Sequence, residues 1–303
     1  MNRPLAPATA SAGFSSAWLS QREPFDLAAR QRAAAQPAMQ THLAQLRASG
    51  PIAVLDLACG HGANLRALAP RLGAEQHWRL VDHDPALLAT LPMALQCWAH
   101  RQGYRYVDGA AASGCRIAGP GFSATVAWGC VDLSRQLESI EIAHTTLISA
   151  SALLDLVSAA WLQRLVERAR GAGAALLWAL SVDGRMAWEP ADADDAAVHA
   201  LFRRHQQRDK GFGAALGAQA PGFARTQLAR AGYRSTVAQS DWHVAGTQGA
   251  AMQHALIDGI AAAALEQDAS AQQRVRGWQL RRTAAIGHSR LRVGHVDMLA
   301  TLR

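Results

Sequence analysis

The chain has 303 residues, half of them apolar and 6% aromatic, with a formal charge of +7. That length suits one large domain or a domain with an elaborate cap, and no apolar run reaches the roughly 20 residues of a membrane span. The charge comes from arginines scattered through an alanine-rich chain whose only lysine is Lys210, which argues against a nucleic-acid surface. Cys59, Cys97, Cys115 and Cys130 have no Cys-x-x-Cys spacing and no nearby histidine pair. They point to a reducing cytoplasm and to no bound metal.

In chain order, residues 1–13 read as a disordered tail, and residues 14–48 as two helices broken near Pro24 and Pro37, forming an N-terminal helical cap. A strand at 52–57 enters a turn containing Gly60 and Gly62, followed by a helix at 63–72. A strand at 77–82 leads into a helix at 85–101, for which Asp84 followed by Pro85 is a good start. Residues 104–121 are glycine-rich and irregular. Strands then fall at 123–131, 145–150, 174–182, 232–239 and 289–297, and helices at 152–170, 191–209 and 222–231. This alternation is the pattern of a Rossmann-like α/β fold, a mostly parallel sheet with helices on both faces. The core spans 49–246 and ends with a final strand in 288–303. Between them, 247–287 carry Met252, Ala255, Leu256, Ile260 and Ala263 at helical spacing. This helical insertion would pack as a cap or as the surface of a homodimer.

The turn after the first strand carries the cofactor signal. Glycines let the backbone come close to a ligand. Asp56, just before the turn, would repel a pyrophosphate but attract an ammonium or a sulfonium. Leu65 stands where a dinucleotide motif needs its third glycine. Asp82 follows Gly60 at close to the spacing, about 20 residues, at which an acid meets ribose hydroxyls. A carboxylate accepts two hydrogen bonds at once and so matches a vicinal diol.

The pattern Asp56-x-Ala58-x-Gly60-x-Gly62 resembles the first motif of the class I S-adenosylmethionine-dependent methyltransferases. Ala58 stands where that family usually has its first glycine, which narrows the room for the methionine end. A group of bacterial methyltransferases is resembled more widely: in Arg22-Glu23-Pro24, in the run from Ser149 through Asp155 to Leu162, in Arg208 to Gly213, and in Val293-Gly294-His295-Val296-Asp297. The likeness spans nearly the whole chain. It implies a seven-stranded sheet in the order 3-2-1-4-5-7-6 and S-adenosylmethionine as cofactor, leaving as S-adenosylhomocysteine. Asp56, Ala58, Gly60, Gly62, Asn64, Asp82, His83, Asp132 and Ser149 would hold it. It also implies in-line displacement, in which proximity and alignment supply about 7 to 11 kcal/mol.

The carboxyl ends of the strands select the remaining candidates. Asp132 is either an adenine-binding acid or a turn aspartate. Asp155, His243 and His205 are candidate proton acceptors; the alternatives are an ion pair with an arginine for Asp155, packing for His243 and a helix C-terminus for His205. Trp18, Arg22, Arg185, Trp188, Arg208 and Lys210 are candidate substrate contacts, although the cations from His205 to Lys210 also suit a helix C-terminus. The Asp/Asn-Pro-Pro-aromatic motif for amino-group methylation is absent after the fourth strand. The leading expectation is methyl transfer to an oxygen or nitrogen of a small, anionic metabolite. An RNA methyltransferase and a non-catalytic S-adenosylmethionine-binding protein remain as alternatives.

Overall fold

The computed structural model describes residues 15–302 except 49 and 112; the expected tail lies outside them. Ser15 caps α1 (Ser16–Ala34), its side chain accepting from Trp18 N. Pro24 lies inside this helix without breaking it. An internal proline costs about 3 kcal/mol, and burial of Trp18, Arg22, Ala29, Arg30 and Ala33 along one face offsets it. The break comes instead at Ala35 and Gln36, before α2 (Pro37–Ala48).

The core follows: β1 (Ile52–Leu57), α3 (Ala63–Leu72), β2 (Ala74–Asp82), α4 (Pro85–Arg101), β3 (Arg105–Asp108), β4 (Gly114–Gly119) and β5 (Phe122–Cys130). Next come α5 (Leu133–Gln136), β6 (Leu147–Ser151), α6 (Ala159–Gly171), β7 (Ala175–Glu189), α7 (Asp195–Gln206), α8 (Ala220–Arg230), β8 (Tyr233–Gln239) and β9 (Trp242–Ala245). The chain closes with α9 (Gly246–Gln267), α10 (Gln272–Ala284) and β10 (Arg290–Leu302). Among the described residues no helix is long and apolar enough to cross a membrane.

The expected seven strands are ten among the described residues, and the full order differs: β3-β4-β5-β2-β1-β6-β7-β10-β8, with β9 on β10. Parallel pairing is confined to the centre, β5-β2-β1-β6-β7, while β10 runs antiparallel to β7, β8 and β9. Two of the additional strands are the antiparallel hairpin β3–β4, which occupies the glycine-rich 104–121 region. Its glycines serve close packing: a Cβ on Gly119 would lie 2.5 Å from Phe122 and 2.7 Å from Tyr104. The third, β9, follows β8 after a two-residue break. β7 also runs past the expected end at 182, because β10 pairs with it as far as Glu189.

Alternation along β1 places Val54 in a core with α1 to α4, and Leu55 and Leu57 in a second core with α6 and α8. Helices thus cover both faces of the sheet. Residues 152–158 are not helical; Ser158 caps α6 by accepting from Trp161 N at 3.3 Å. That leaves a loop after β6 to carry Asp155.

Candidate active site

Register lines up the carboxyl ends of the parallel strands. Leu57 pairs with Val81 and Ala150, Val81 with Gly129, and Ala150 with Trp178. Ala58, Asp82, Ser151 and Ala179 therefore begin a common rim. Three non-glycine residues near it have left-handed backbone: Ala58 (φ 53°), Ala152 (φ 52°) and Leu180 (φ 54°). Such strain, about 1–2 kcal/mol for each, gathers at functional sites. Position 58 is thus one that glycine would adopt without strain.

Asp56 and Ser149 face each other across β1 and β6. Asn64 donates to both, at 2.5 Å to Asp56 Oδ1 and 2.7 Å to Ser149 Oγ. Burial pushes the Asp56 carboxyl up to about 7, with the Asn64 hydrogen bond and nearby Arg30 pulling it down. Asp56 Oδ2 and Asn64 Oδ1 are buried without a hydrogen-bond partner. Ser149 is fully buried and serves as a tie beneath the loop.

Asp82 holds the turn in shape. Its Oδ2 accepts from Gly60 N at 2.8 Å and its Oδ1 from Asp84 N at 3.0 Å, while His83 Nδ1 lies 3.3 Å from Oδ1. Each oxygen keeps a second lone pair. Gly60 (φ 54°) and Gly62 (φ 81°) are both left-handed, and a Cβ on Gly62 would lie 2.7 Å from Leu91. Leu19 of α1 covers Gly60, within 3.2 Å of where a Cβ would stand. Glu23 clasps α1 to α3 through Arg66 at 2.5 Å. Asp132 is the N-cap of α5, accepting from Ser134 N at 2.9 Å, and these bonds hold its carboxyl below the usual range.

Beside this loop lies a cavity of about 200 Å³. It brings together Trp18 and Arg22 from α1, Asp155 after β6, Arg185 from β7, His205 from α7, and Lys210. Arg22 is held by Asp26 at 2.8 Å and stacks over Trp242. Arg185 is held between Asp183 and Asp241, at 2.5 and 2.7 Å. His205 Nε2 lies 2.9 Å from Glu266 of α9, and burial lowers its pKa. Asp155 is different: burial raises its carboxyl to about 6, and its Oδ1 is shut from solvent with no partner.

Three candidates fall elsewhere. His243 is exposed on β9 and does not line the cavity, because strand alternation turns Trp242 and Val244 inward instead. Trp188 is buried edge-on against Trp278, its Nε1 donating to His199 at 3.3 Å. Arg208 is exposed and bonds the end of α9 through Glu266 O and Gln267.

Sequence reasoning missed the far wall. β10 supplies Val293 and His295, the latter packed on the Trp242 ring at 4.7 Å and kept neutral by burial at a pKa of about 3. Asp297 accepts from the strained Leu180 N at 2.9 Å and so fixes the β7 rim. Gly294 has no room for a side chain, since a Cβ would lie 2.2 Å from Asp183 Oδ1. These roles account physically for the closing Gly294-His295-Val296-Asp297 run. Buried Arg30 went unnoticed too; its charge faces Asp26, Asp56 and Asp297.

No family model matches the chain, and no curated protein matches it in sequence. Among solved structures it is similar to a cyclopropane-fatty-acyl-phospholipid synthase-like protein from Lactobacillus casei. That likeness has 14% identity, covers 96% of this chain and 94% of the other, and has a TM-score of 0.53. It is also similar to a precorrin-6y C5,15-methyltransferase from Geobacter metallireducens, at 8% identity over 90% and 91% of the two chains and a TM-score of 0.41. A third is an S-adenosylmethionine-dependent methyltransferase from Geobacter sulfurreducens in complex with S-adenosyl-L-homocysteine, at 14% identity over 93% and 98% and a TM-score of 0.38. Of these, the first carries the structural likeness, and at such identities the likeness is one of fold. The chain shares its α/β fold with that synthase-like protein.

Proposed function

We propose that the protein transfers a methyl group from S-adenosylmethionine to an oxygen or nitrogen of a small, anionic metabolite. The observation that carries this reading is the convergence at one rim. Strained Ala58 and Ala152 directly follow β1 and β6, and strained Leu180 lies in β7 just past its last pair with β6, between the glycine loop and the cavity. The loop residues fit the cofactor. Asp56 Oδ2 and Asn64 Oδ1 are buried acceptors without donors, suited to an ammonium, and Asp82 keeps lone pairs for a diol. When bound there, the cofactor supplies an activated methyl on a sulfonium whose leaving group is a neutral thioether.

The chain's own part is to bind, orient and exclude water. Trp18 and Leu19 place α1 over both the loop and the cavity. Asp155 accepts the acceptor's proton: a carboxyl with a pKa of about 6 is mostly ionised at neutral pH yet still basic enough to take a proton. A cavity of about 200 Å³, bounded by α1 and α9, favours a small acceptor over RNA.

The test is incubation with methyl-labelled cofactor and a panel of small hydroxy and amino acids, beside transfer RNA. Label in a small molecule supports the reading. Label in RNA, or none in either with bound cofactor demonstrated, overturns it in favour of the RNA or non-catalytic alternative.

A further inference from the structure

The cavity's volume, walls and unmatched groups specify more than a small anion. An apolar cavity of about 150 Å³ takes benzene, so about 200 Å³ holds one substituted ring. Three aromatic side chains, Trp18, Phe202 and Trp242, line it together with Leu156, Met186 and Ile260. Aromatic walls favour an aromatic guest through edge-to-face and offset contacts.

Most polar groups in these walls are already matched. Arg22 has Asp26, Arg185 has Asp183 and Asp241, His205 has Glu266, and His199 accepts from Trp188. His295 contacts Val293 O through Nδ1. Two poles are left over. One is Asp155, with its unpartnered Oδ1. The other is cationic: Lys210 and Arg203 line the cavity and make no hydrogen bond or ion pair among the described residues. Lys210 is half-buried, and burial lowers its pKa. It feels the charge of Glu266 first and that of Asp155 more weakly, so both poles belong to one space. Trp18 Nε1, buried without an acceptor, adds a neutral donor.

Resting on the methyl-transfer reading, we infer that the acceptor is a single-ring aromatic carboxylic acid carrying a hydroxyl or amino group. The ring lies between the aromatic walls, the carboxylate pairs with Lys210, and the O–H or N–H donates to Asp155. Arg203, exposed at the rim, draws the anion in. An uncharged phenol would leave Lys210 unmatched, and a benzoate without a donor would leave Asp155 unmatched. A half-buried charge without a partner is costly.

Calorimetry without cofactor tests this, using the ortho, meta and para hydroxybenzoates, benzoate and phenol. The partners are wild type, Lys210→Met and Asp155→Asn. At least one hydroxybenzoate isomer should bind wild type about tenfold more tightly than benzoate or phenol, the worth of one charge-assisted hydrogen bond. Lys210→Met should remove the advantage over phenol and leave phenol binding unchanged. Asp155→Asn should remove the advantage over benzoate. S-adenosylhomocysteine is titrated into the same preparations. Binding of S-adenosylhomocysteine with no preference for hydroxybenzoate, or a preference over phenol that survives Lys210→Met, overturns the substrate class alone. Failure of both ligands on folded protein overturns the methyltransferase reading with it.

Discussion

Between Ile52 and Asn64 the glycine loop is assembled from consecutive residues, completed by Asp82 and by Ser149 beneath, and nearly all of its hydrogen bonds are internal. The cavity beside it draws on α1, the loop after β6, β7, α7, α9 and β10, segments up to about the whole chain apart. The loop is rigid by local design: its glycines and Asp82 specify one backbone path. The cavity is specific by tertiary placement, in which charges are neutralised pairwise and a few groups are left for a ligand. The first kind of arrangement is written locally in the sequence, and the second is not.

The largest expected effect separates chemistry from binding. Asp155→Asn should lower the methyl-transfer rate by about 10²-fold or more while leaving S-adenosylhomocysteine affinity unchanged, because Asp155 lies in the cavity and not in the loop. The wild-type rate should rise with pH through about 6, and the variant should lose that limb. Stability gives a second reading. A carboxyl whose folded pKa is raised holds its proton more tightly when folded, so its stabilising contribution is complete below the ordinary 3.8 and is lost as pH rises through about 6. Asp155→Asn should therefore gain stability relative to wild type between about pH 4 and 7, read by urea denaturation. A constant difference across that range would contradict the assignment.

Next in size is Gly294→Ala. The added methyl enters the space of Asp183 and Arg185, and overpacking of this kind costs about 2 kcal/mol. The loss of stability should come with weakened acceptor binding, because the Asp183–Arg185–Asp241 wall shifts. Unchanged stability would mean that this wall is softer than its contacts imply.

Ala58→Gly works in the opposite direction, on the loop. It relieves left-handed strain at the cost of added chain entropy in the unfolded state, for a net gain of about 0.5–1 kcal/mol. A chemical-denaturation midpoint that falls instead would show that the Ala58 methyl contributes packing that outweighs its strain. The smallest effect belongs to His243→Ala: with the ring exposed on β9, stability should change by less than about 0.5 kcal/mol and the rate not at all.

The contrast between the two regions also explains what the sequence disclosed. The limits of α3 and α4 were legible because Gly62, Asp84 and Pro85 punctuate them locally. Asp56, Gly60 and Asp82 were legible because motif and spacing are local to one βαβ unit. The β3–β4 hairpin was not, since Gly109 and Gly119, which look like loop signals, sit where a side chain would strike the Gly114 backbone and the Tyr104 and Phe122 rings. Pro24 read as a break because the buried face that holds α1 together comes from tertiary contacts. His243 and Trp188 were misplaced for a related reason. A residue after or within a strand was taken to face the ligand, but alternation turns His243 outward, and Trp278 of α10 draws Trp188 into another layer. His295 and Asp297 enter the site through the antiparallel return of β10, which no local pattern announces.

The central claim is that the glycine loop holds the cofactor and that Asp82 shapes it. It is tested most directly by titrating wild type and Asp82→Ala with S-adenosylhomocysteine in a calorimeter, with circular dichroism verifying that both are folded. Wild type should bind at micromolar concentrations. The variant, having lost the acceptor for Gly60 N and Asp84 N as well as the partner for a diol, should weaken by about 100-fold. A folded wild type that does not bind, or a variant that binds equally well, would contradict the account and leave Asp56 and Asp82 as structural residues of a strand–turn–helix.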